Sequence, residues 1–397
     1  MAVAPHTDAA PPSGDPVTAA GYGARWLAAQ VEPDGYVEGP GGSPAPAATL
    51  NVALALAATG VEGDVLDATV DWFADEVEEV IVVGADDDAG RLGALLVVVD
   101  AVGEDPATFG GVDLVARLEG TLGDFAPGLY GASDPTYDGA YRQALALVGL
   151  RAAAAATPTV GLDWLAGQQC AGAPASATGG WLAYRPDTSV PCPAPDPDTF
   201  TGPDTNQTAL AMEALAAWGR VPAEDPLPFL ASAQVPDGGF AYYPGQGVDV
   251  NSTALVIQAL LAVGADLDEW ATSEGDPLSS LLSWQIGCDA PDEEIGAFAS
   301  AWSAGAPDTL ATQQAVPAAA LAPFPLDPVV PAPTPIPCEP VSTTTTGGPG
   351  STSTSSSTPS TPVSSTSSST SPSTTTVATG VAATSAPVAV ATPVYAG

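Results

Sequence analysis

The stretch PFLASAQVPDGGFAYYPGQGVDVNSTALVIQALLAVG, residues 228–264, joins two segments of different character. The first ends in a Gln that is followed by Gly and an aromatic residue, as in QVPDGGF. The second, from Asp249, is apolar on nearly all sides, which is typical of a buried helix. The stretch therefore predicts an outer amphipathic helix, a Gly-rich loop and a buried inner helix.

The same pair of segments recurs along the chain, which is the signature of a repeat fold. Further outer segments are RWLAAQVEPDGYVEG from Arg25, DWLAGQQ from Asp163 and SLLSWQIG from Ser280, with less obvious copies from Asp64 and Gly111. The other buried segments are TLNVALALAATG, AGRLGALLVVVDAVG, YRQALALVGLRAAAAA, DTNQTALAMEALAAWG and LATQQAVPAAALA. Six amphipathic helices alternating with six buried ones predict an all-α fold, an (α/α)6 toroid of two concentric helix layers.

Composition divides the chain into four predicted parts. Residues 1–15 form a disordered N-terminal segment and residues 16–323 the ring of repeats. Residues 324–340 are a Pro-rich strap, and residues 341–397 are a Ser/Thr-rich stalk. The stalk lacks the apolar side chains that would offset the entropy cost of ordering, so we expect a disordered tail that projects the ring.

The charge balance excludes one class of partner. The chain has 46 acidic and 7 basic residues, for a formal net charge of -39. Because phosphate binding needs a cationic face, nucleic acid is not an expected partner.

The sequence contains no run of about 18 apolar residues, so we expect no segment that spans a membrane. The start has no charged n-region or apolar h-region, so we expect a signal peptide that is missing or removed. We also expect a monomer.

Four cysteines, Cys170, Cys192, Cys288 and Cys338, could pair in three ways. None is part of a CxxC motif of the zinc-binding kind. Pairing of sequence neighbours, Cys170 with Cys192 and Cys288 with Cys338, would close two loops rich in Pro, Gly and Asp. Such disulfides favour an oxidising compartment, and hence a bacterial protein that is extracellular or attached to the cell surface.

With these repeats the chain resembles the α/α-toroid superfamily, which includes squalene and terpene cyclases, prenyltransferase β subunits and transcobalamin-like carriers. The cyclase repeat, Gln, three residues, Gly, one residue, Trp, is matched by Gln234 to Phe240 with Phe for Trp. Looser copies are QVEPDGY, with one extra residue, and the long loop from Gln168 to Trp181. The fold hosts both catalysts and carriers, so the resemblance alone leaves function open.

The catalytic residues that the resemblance implies are replaced by other residues in this sequence. Class II cyclases open an inner helix with Asp-x-Asp-Asp-Thr-Ala, whose middle carboxylic acid protonates the substrate. The matching stretches here, DVNSTA and DTNQTA, put Asn251 and Asn206 in that place. An amide cannot donate that proton, so the sequence favours a non-catalytic protein with no catalytic residues.

The sequence also lacks the usual ligands for a catalytic metal ion. The zinc set of a prenyltransferase would need a His, and His6 is the sole histidine and precedes the ring. Asp86, Asp87 and Asp88 lack the spacing of a magnesium-binding DDxxD cluster, and a helix-capping loop is favoured over a calcium or magnesium site. We therefore expect neither a cofactor nor a metal.

Polar and aromatic residues near the starts of the inner helices are candidates for ligand binding. Asp204 and Asp249 occupy N-cap positions, where plain capping is the simpler interpretation. The alternative is a polar ring at one mouth of the toroid, made by three asparagines in equivalent places, with aromatic residues on the Gly-rich loops for stacking. Packing between repeats is the simpler role for those aromatics. The candidate ligand-binding residues are Asn51, Arg142, Trp181, Tyr184, Arg185, Asp204, Asn206, Tyr242, Tyr243, Asp249 and Asn251.

Three functions stay open at this point. The first is a secreted or cell-surface binding module that holds a ligand or partner at the loop mouth of the ring. That ligand is a small molecule, for which isoprenoid, corrinoid and saccharide are all candidates, or a surface protein. The second is a divergent cyclase or prenyltransferase-like enzyme acting on an isoprenoid, and the third is a structural adhesion module.

Overall fold

The computed structural model describes residues 11–172, 174–335 and Cys338, and helices dominate this part of the chain. A short hairpin, β1 Val82–Val83 and β2 Asp86–Asp87, precedes one of the helices. The α-helices are α1 Pro16–Ala28, α2 Pro46–Thr59, α3 Gly63–Asp75, α4 Val77–Ile81, α5 Ala89–Val102, α6 Leu114–Gly120, α7 Gly139–Ala152, α8 Thr159–Gly167, α9 Thr205–Ala217, α10 Leu227–Ala233, α11 Val250–Ala262, α12 Pro277–Leu282 and α13 Thr309–Ala319. The predicted stalk, residues 341–397, lies outside the described residues, as do residues 1–10 of the predicted N-terminal segment.

Two concentric layers of helices form a closed ring. The inner layer runs α2, α5, α7, α9, α11, α13, each helix packs on the next, and α13 closes on α2. The outer layer consists of α1, α3, α6, α8, α10 and α12. Inner helices such as α5 are buried on nearly every side because their residues are almost all apolar. The predicted all-α architecture of two helix layers is confirmed.

The six inner helices run in the same direction, as their contacts show. Near their first turns, the Tyr141 N–H of α7 donates to Oε1 of Gln207 on α9, 2.8 Å away. Near their last turns, Arg151 of α7 donates to the carbonyl of Ala217 at the end of α9. The ring therefore has an N-terminal mouth, where the loops enter the inner helices, and a C-terminal mouth, where these helices end.

In three of the repeats, the first position of the motif is a Gln that joins its repeat to the next one. Nε2 of Gln234 donates to the carbonyl of Gly238 in its own loop, 3.1 Å away, and to that of Trp270 in the following repeat, 2.6 Å away. Gln169 and Gln285 make the same pair of bonds to their own loop and to the neighbouring repeat. The motif that marks the repeats in the sequence is thus a structural connector.

In two repeats, the positions of the repeat motif differ by one residue from the sequence prediction. In the fourth repeat the residue that pairs with Trp181 is Gln169, not Gln168. In the first repeat Val31 pairs with Val37, so Gln30 and Tyr36 are each one residue out of register. The spacing from Val31 to Val37 equals that from Gln234 to Phe240, and no extra residue is present. A valine in place of the Gln explains why this copy looked irregular.

Gln234→Ala is expected to lower the free energy of unfolding by about 2 kcal/mol, because two partly buried carbonyl groups lose their donor. Gln30→Ala is the matched control, since Gln30 is about as buried as Gln234 but bonds back to Trp26 in its own helix instead of to the next repeat. We expect the control to cost less than about 0.5 kcal/mol. Urea unfolding followed by circular dichroism measures both, and equal costs would contradict the connector role.

Both predicted disulfides are present. Cys170 bonds to Cys192 and Cys288 bonds to Cys338, and no free cysteine remains. The first closes the long loop of the fourth repeat. The second ties the chain beyond α13 to the loop after α12.

Candidate functional site

The starts of α9, α11 and α13 are built from one local arrangement. Asp249 caps α11 by accepting the Ser252 N–H at 2.8 Å, and Thr253 donates its hydroxyl to the Asp249 carbonyl. The same hydroxyl accepts the N–H of Phe240, the aromatic residue of the repeat, at 2.9 Å. Asp204 and Asp308 cap α9 and α13 in the same manner. The acidic residue and the threonine that resemble a catalytic motif therefore fix the loop to its helix.

The predicted ring of equivalent asparagines is not formed. Asn206 and Asn251 each lie two residues after an N-cap, whereas Asn51 lies six residues after Ala45, the N-cap of α2. Asn51 is therefore about one turn deeper, because a helix turn holds about 3.6 residues. Leu210, Leu255 and Gln314 hold its position in α9, α11 and α13.

Hydrogen bonds bridge the space inside the ring. Nδ2 of Asn251 on α11 donates to Oε1 of Gln314 on α13, 2.7 Å away. Nε2 of Gln314 then donates to the Tyr141 hydroxyl at 3.3 Å. Tyr141 belongs to α7, three helices away from α13 in either direction around the ring. The bond between them therefore crosses the lumen, which is the space enclosed by the inner helices.

Side chains fill nearly all of the lumen. The cavity left between them has a volume of about 30 Å³. That is room for about two water molecules, whereas small-molecule sites are commonly about 300–1,000 Å³. The lining residues are Asn51, Leu54, Tyr141, Leu145, Leu210, Leu255, Gln258, Gln313, Gln314, Pro317 and Phe324.

A buried acid lies at the other end of the lumen. Glu213 on α9 is 1% exposed, and its Oε1 accepts the N–H of Phe324 at 2.6 Å. Burial raises the pKa of Glu213 to about 8, so this carboxyl group is largely protonated at neutral pH.

The chain after α13 crosses the C-terminal mouth and closes it. Nε2 of Gln258 donates to the carbonyl of Ala322, and Phe324 lines the lumen cavity. Further along, Val329 and Ala332 donate their N–H groups to carbonyls at the ends of α5 and α2. The described part of the predicted strap is therefore in contact with the ring at several helix ends.

Both candidate cations are held by the protein itself. Arg142 forms a buried ion pair with Asp138 at 2.8 Å and donates to the carbonyl of Asp134 at 2.7 Å. Arg185 donates to four carbonyls, among them those of Gly167 and Gln169, and so fixes the loop closed by the first disulfide. Their contacts are those of structural residues.

Two of the candidate aromatics pack against other parts of the protein. Trp181 is fully buried, and its Nε1 donates to the carbonyl of Leu165 at 2.8 Å. Tyr184 stacks on Trp164 with ring centroids 6.4 Å apart and meets Phe125 edge-on at 6.0 Å. Tyr184 therefore packs between repeats, and Trp181 is bonded within its own repeat.

Tyr242, Tyr243 and Asp204 form a compact group at the start of α9. The two tyrosine rings are 4.8 Å apart, and the Tyr242 hydroxyl is hydrogen-bonded to the Asp204 carboxyl group. Burial raises the pKa of Asp204 to about 7, and it also raises the pKa of both tyrosines. Asp249, at the start of α11, likewise has a pKa raised by burial. This group joins two of the predicted loops.

The sequence analysis missed the residues that fill the lumen: Tyr141, Glu213, Gln258, Gln313 and Gln314. The sequence did contain a signal for them, because each side chain carries a polar group within an otherwise apolar inner helix. Buried polar groups of this kind need partners, and partners in a ring of helices come from across the lumen.

The acid triplet has separate structural roles. Asp88 caps α5 by accepting the Arg91 N–H, and Asp87 forms an ion pair with Arg117 at 2.6 Å. Asp86 lies in the hairpin. Among residues 11–172, 174–335 and Cys338, no three His, Cys, Asp or Glu side chains converge as a metal site requires.

No model of a known protein family matches the sequence, and no curated protein matches it. Among solved structures, a protein from Actinoplanes is similar, with a TM-score of 0.51 and 16% identity over 77% of this chain and 98% of that chain. The fold is an α/α-toroid. At this level of identity the similarity shows the fold of the toroid alone.

Two further structures are similar to the toroid at lower scores. Both are variants of the type II terpene cyclase MstE from Scytonema, one in complex with its product merosterolic acid A and one with its substrate geranylgeranyl dihydroxybenzoate. Their TM-scores are 0.46 and 0.45, at 16% and 15% identity, over 77% of this chain and 95% and 97% of theirs.

None of the helices described for the toroid has the length and apolar character needed to cross a bilayer.

Proposed function

We propose that the toroid is a non-catalytic binding module, secreted or displayed at the cell surface, that recognises a partner at its N-terminal mouth. The observation that carries this proposal is the bridged lumen. Tyr141 and Gln314 meet across it, and the remaining cavity is about 30 Å³. A substrate of isoprenoid size has no room there without displacement of these side chains.

The chemistry at the helix starts supports the same conclusion. The residue in place of the cyclase acid, Asn251, donates an amide hydrogen to Gln314. Protonating an alkene needs a strong acid held beside the substrate, and an amide cannot supply it. The ring then serves as a rigid scaffold for its loops.

Placement outside the cell rests on the disulfides and the composition. Both cysteine pairs are bonded, which suits an oxidising compartment. A chain with 46 acidic and 7 basic residues stays soluble through self-repulsion, and the Ser/Thr-rich residues 341–397 would act as a spacer.

One observation favours a divergent enzyme as the second candidate. Glu213 is a carboxyl group inside the lumen whose pKa is raised to about 8, and a general acid in an apolar site needs that property. Its bond to Phe324 means that the strap would have to move before a substrate could reach it.

We expect the wild-type protein to form no cyclic product from squalene, oxidosqualene or geranylgeranyl diphosphate, measured by gas chromatography against a boiled control. Asn251→Asp combined with Ser252→Asp should also be inactive, because restored acids still lack a cavity that positions the substrate. Product from the wild type would overturn the proposal. Loss of that product in Glu213→Gln would then support the second candidate.

A further inference from the structure

The exposed aromatic side chains of the described residues are concentrated on one face. Tyr137 and Trp302 are 78% and 77% exposed, and Phe125 and Phe200 are 42% and 45% exposed. All four lie in loops that lead into inner helices, at the N-terminal mouth. The C-terminal mouth exposes aliphatic residues instead: Val221, Val263, Leu321 and Val330.

Three of the mouth loops converge at the start of α9. The Tyr137 carbonyl accepts Nε2 of Gln207, which lies in the first turn of α9. Phe200 precedes the same helix, and its ring meets Tyr243 with centroids 6.3 Å apart. The Tyr242 carbonyl accepts the N–H of Thr205, the first residue of α9. Tyr243 itself is 3% exposed, so the two exposed rings, Tyr137 and Phe200, are called the aromatic patch below.

Two carboxylates lie in the same loops as the aromatic patch. Asp134 lies three residues before Tyr137, and Asp196 lies four residues before Phe200. Hydrogen bonds from Thr136 and Thr199 lower the pKa values of these two acids, so both carry a charge at neutral pH. The nearby arginines, Arg142 and Arg185, are held by Asp138 and by loop carbonyls. The face therefore presents aromatic rings together with negative charge.

We propose that the aromatic patch docks an Arg- or Lys-bearing peptide segment of another protein. A guanidinium or ammonium group over an exposed ring gains a cation–π interaction, and the carboxylates beside the patch attract the same cation. The net charge of -39 favours approach of such a partner from a distance. A neutral saccharide could stack on the rings but would gain little from the charge. The inference rests on the proposed function, because it names the partner class for the N-terminal mouth.

The test uses the full chain and a fluorescent nonapeptide of alternating Arg and Gly, with fluorescence anisotropy at several salt concentrations. Tyr137→Ala combined with Phe200→Ala leaves the net charge unchanged, and we expect it to weaken peptide binding about tenfold. The matched control combines Val221→Ala with Val263→Ala at the C-terminal mouth. We expect its affinity to stay within about twofold of the wild type. Circular dichroism and the Tm establish that both variants are folded.

Three outcomes would overturn the inference. They are no binding by the wild type, an aromatic variant that binds as tightly as the wild type, and equal losses of affinity in the aromatic variant and the control. The second would mean that net charge alone attracts the peptide. A neutral oligosaccharide that binds through the aromatic patch while the peptide does not would assign the face to saccharides instead. Product formation from an isoprenoid would refute the non-catalytic proposal but would not alter this measurement, so the two failures are distinguishable.

Discussion

Gly238→Ala is expected to destabilise the protein by about 4 kcal/mol or more, which is a large part of the stability of an ordinary domain. Gly238 has φ +93°, where a side chain is strained. A Cβ atom there would lie 2.6 Å from the backbone N and C atoms of Asp276. Asp276 caps α12, so neither the loop nor the helix can move away without loss of the contact between repeats.

Gly245→Ala separates backbone strain from the steric clash. Gly245 has φ +90°, but a Cβ atom there meets nothing within 4 Å. We expect this variant to cost only the strain, about 1–2 kcal/mol. Urea midpoints by circular dichroism give both values. If the two variants are equally destabilised, close packing between repeats at Gly238 is not what the fold requires.

Glu213→Gln is expected to change how the stability depends on pH. Burial raises the pKa of Glu213 to about 8 in the folded protein, so the folded state holds this proton to a higher pH than the unfolded chain does. The stability from this group is therefore complete below its unfolded pKa, and it is lost as the pH rises through about 8. The full loss is about 4–5 kcal/mol, and most of it falls between pH 5 and pH 8.

The Gln variant keeps an oxygen that can accept the Phe324 N–H but removes the proton equilibrium. We therefore expect it to match the wild type at pH 5 and to be more stable by about 3 kcal/mol at pH 8. Both proteins should also lose some stability as the pH rises through about 7, because burial raises the pKa of Asp204 to about 7. Glu274→Gln, at an exposed position, is the control and should follow the wild type. Stability curves for Glu213→Gln that run parallel to the wild type would contradict a buried, proton-bearing Glu213.

The layered ring could be predicted because its signal is local and repeated. Each inner helix is almost wholly apolar over a dozen or so residues, and each outer helix has one apolar face. Even the weak copy from Asp64 forms a helix, with Leu66 and Phe73 buried along the predicted face. The capping by Asp204 and Asp249 is also local, because an acid binds N–H groups within its own first turn.

Register within the repeats could not be predicted with the same accuracy. The sequence offered two adjacent glutamines, Gln168 and Gln169, and only the tertiary structure shows which one reaches the neighbouring repeat. The supposed equivalence of Asn51 with Asn206 and Asn251 failed for a similar reason. The start of α2 at Pro46 shifts Asn51 by about one turn, and Ala45 at its N-cap lacks the side-chain signal that marks the other helices.

The amino-acid sequence by itself determined the helix layers, the closed ring and the two disulfides. Tertiary structure alone decided that the lumen is filled, because Gln314 and Tyr141 are 173 residues apart and meet only when the ring closes. It likewise decided that Glu213 is capped by Phe324, 111 residues away. Helix formation and capping depend on residues a few positions apart, which a sequence displays directly. The contents of the space at the centre depend on side-chain volumes contributed by every inner helix at once, and only the folded chain brings those side chains together.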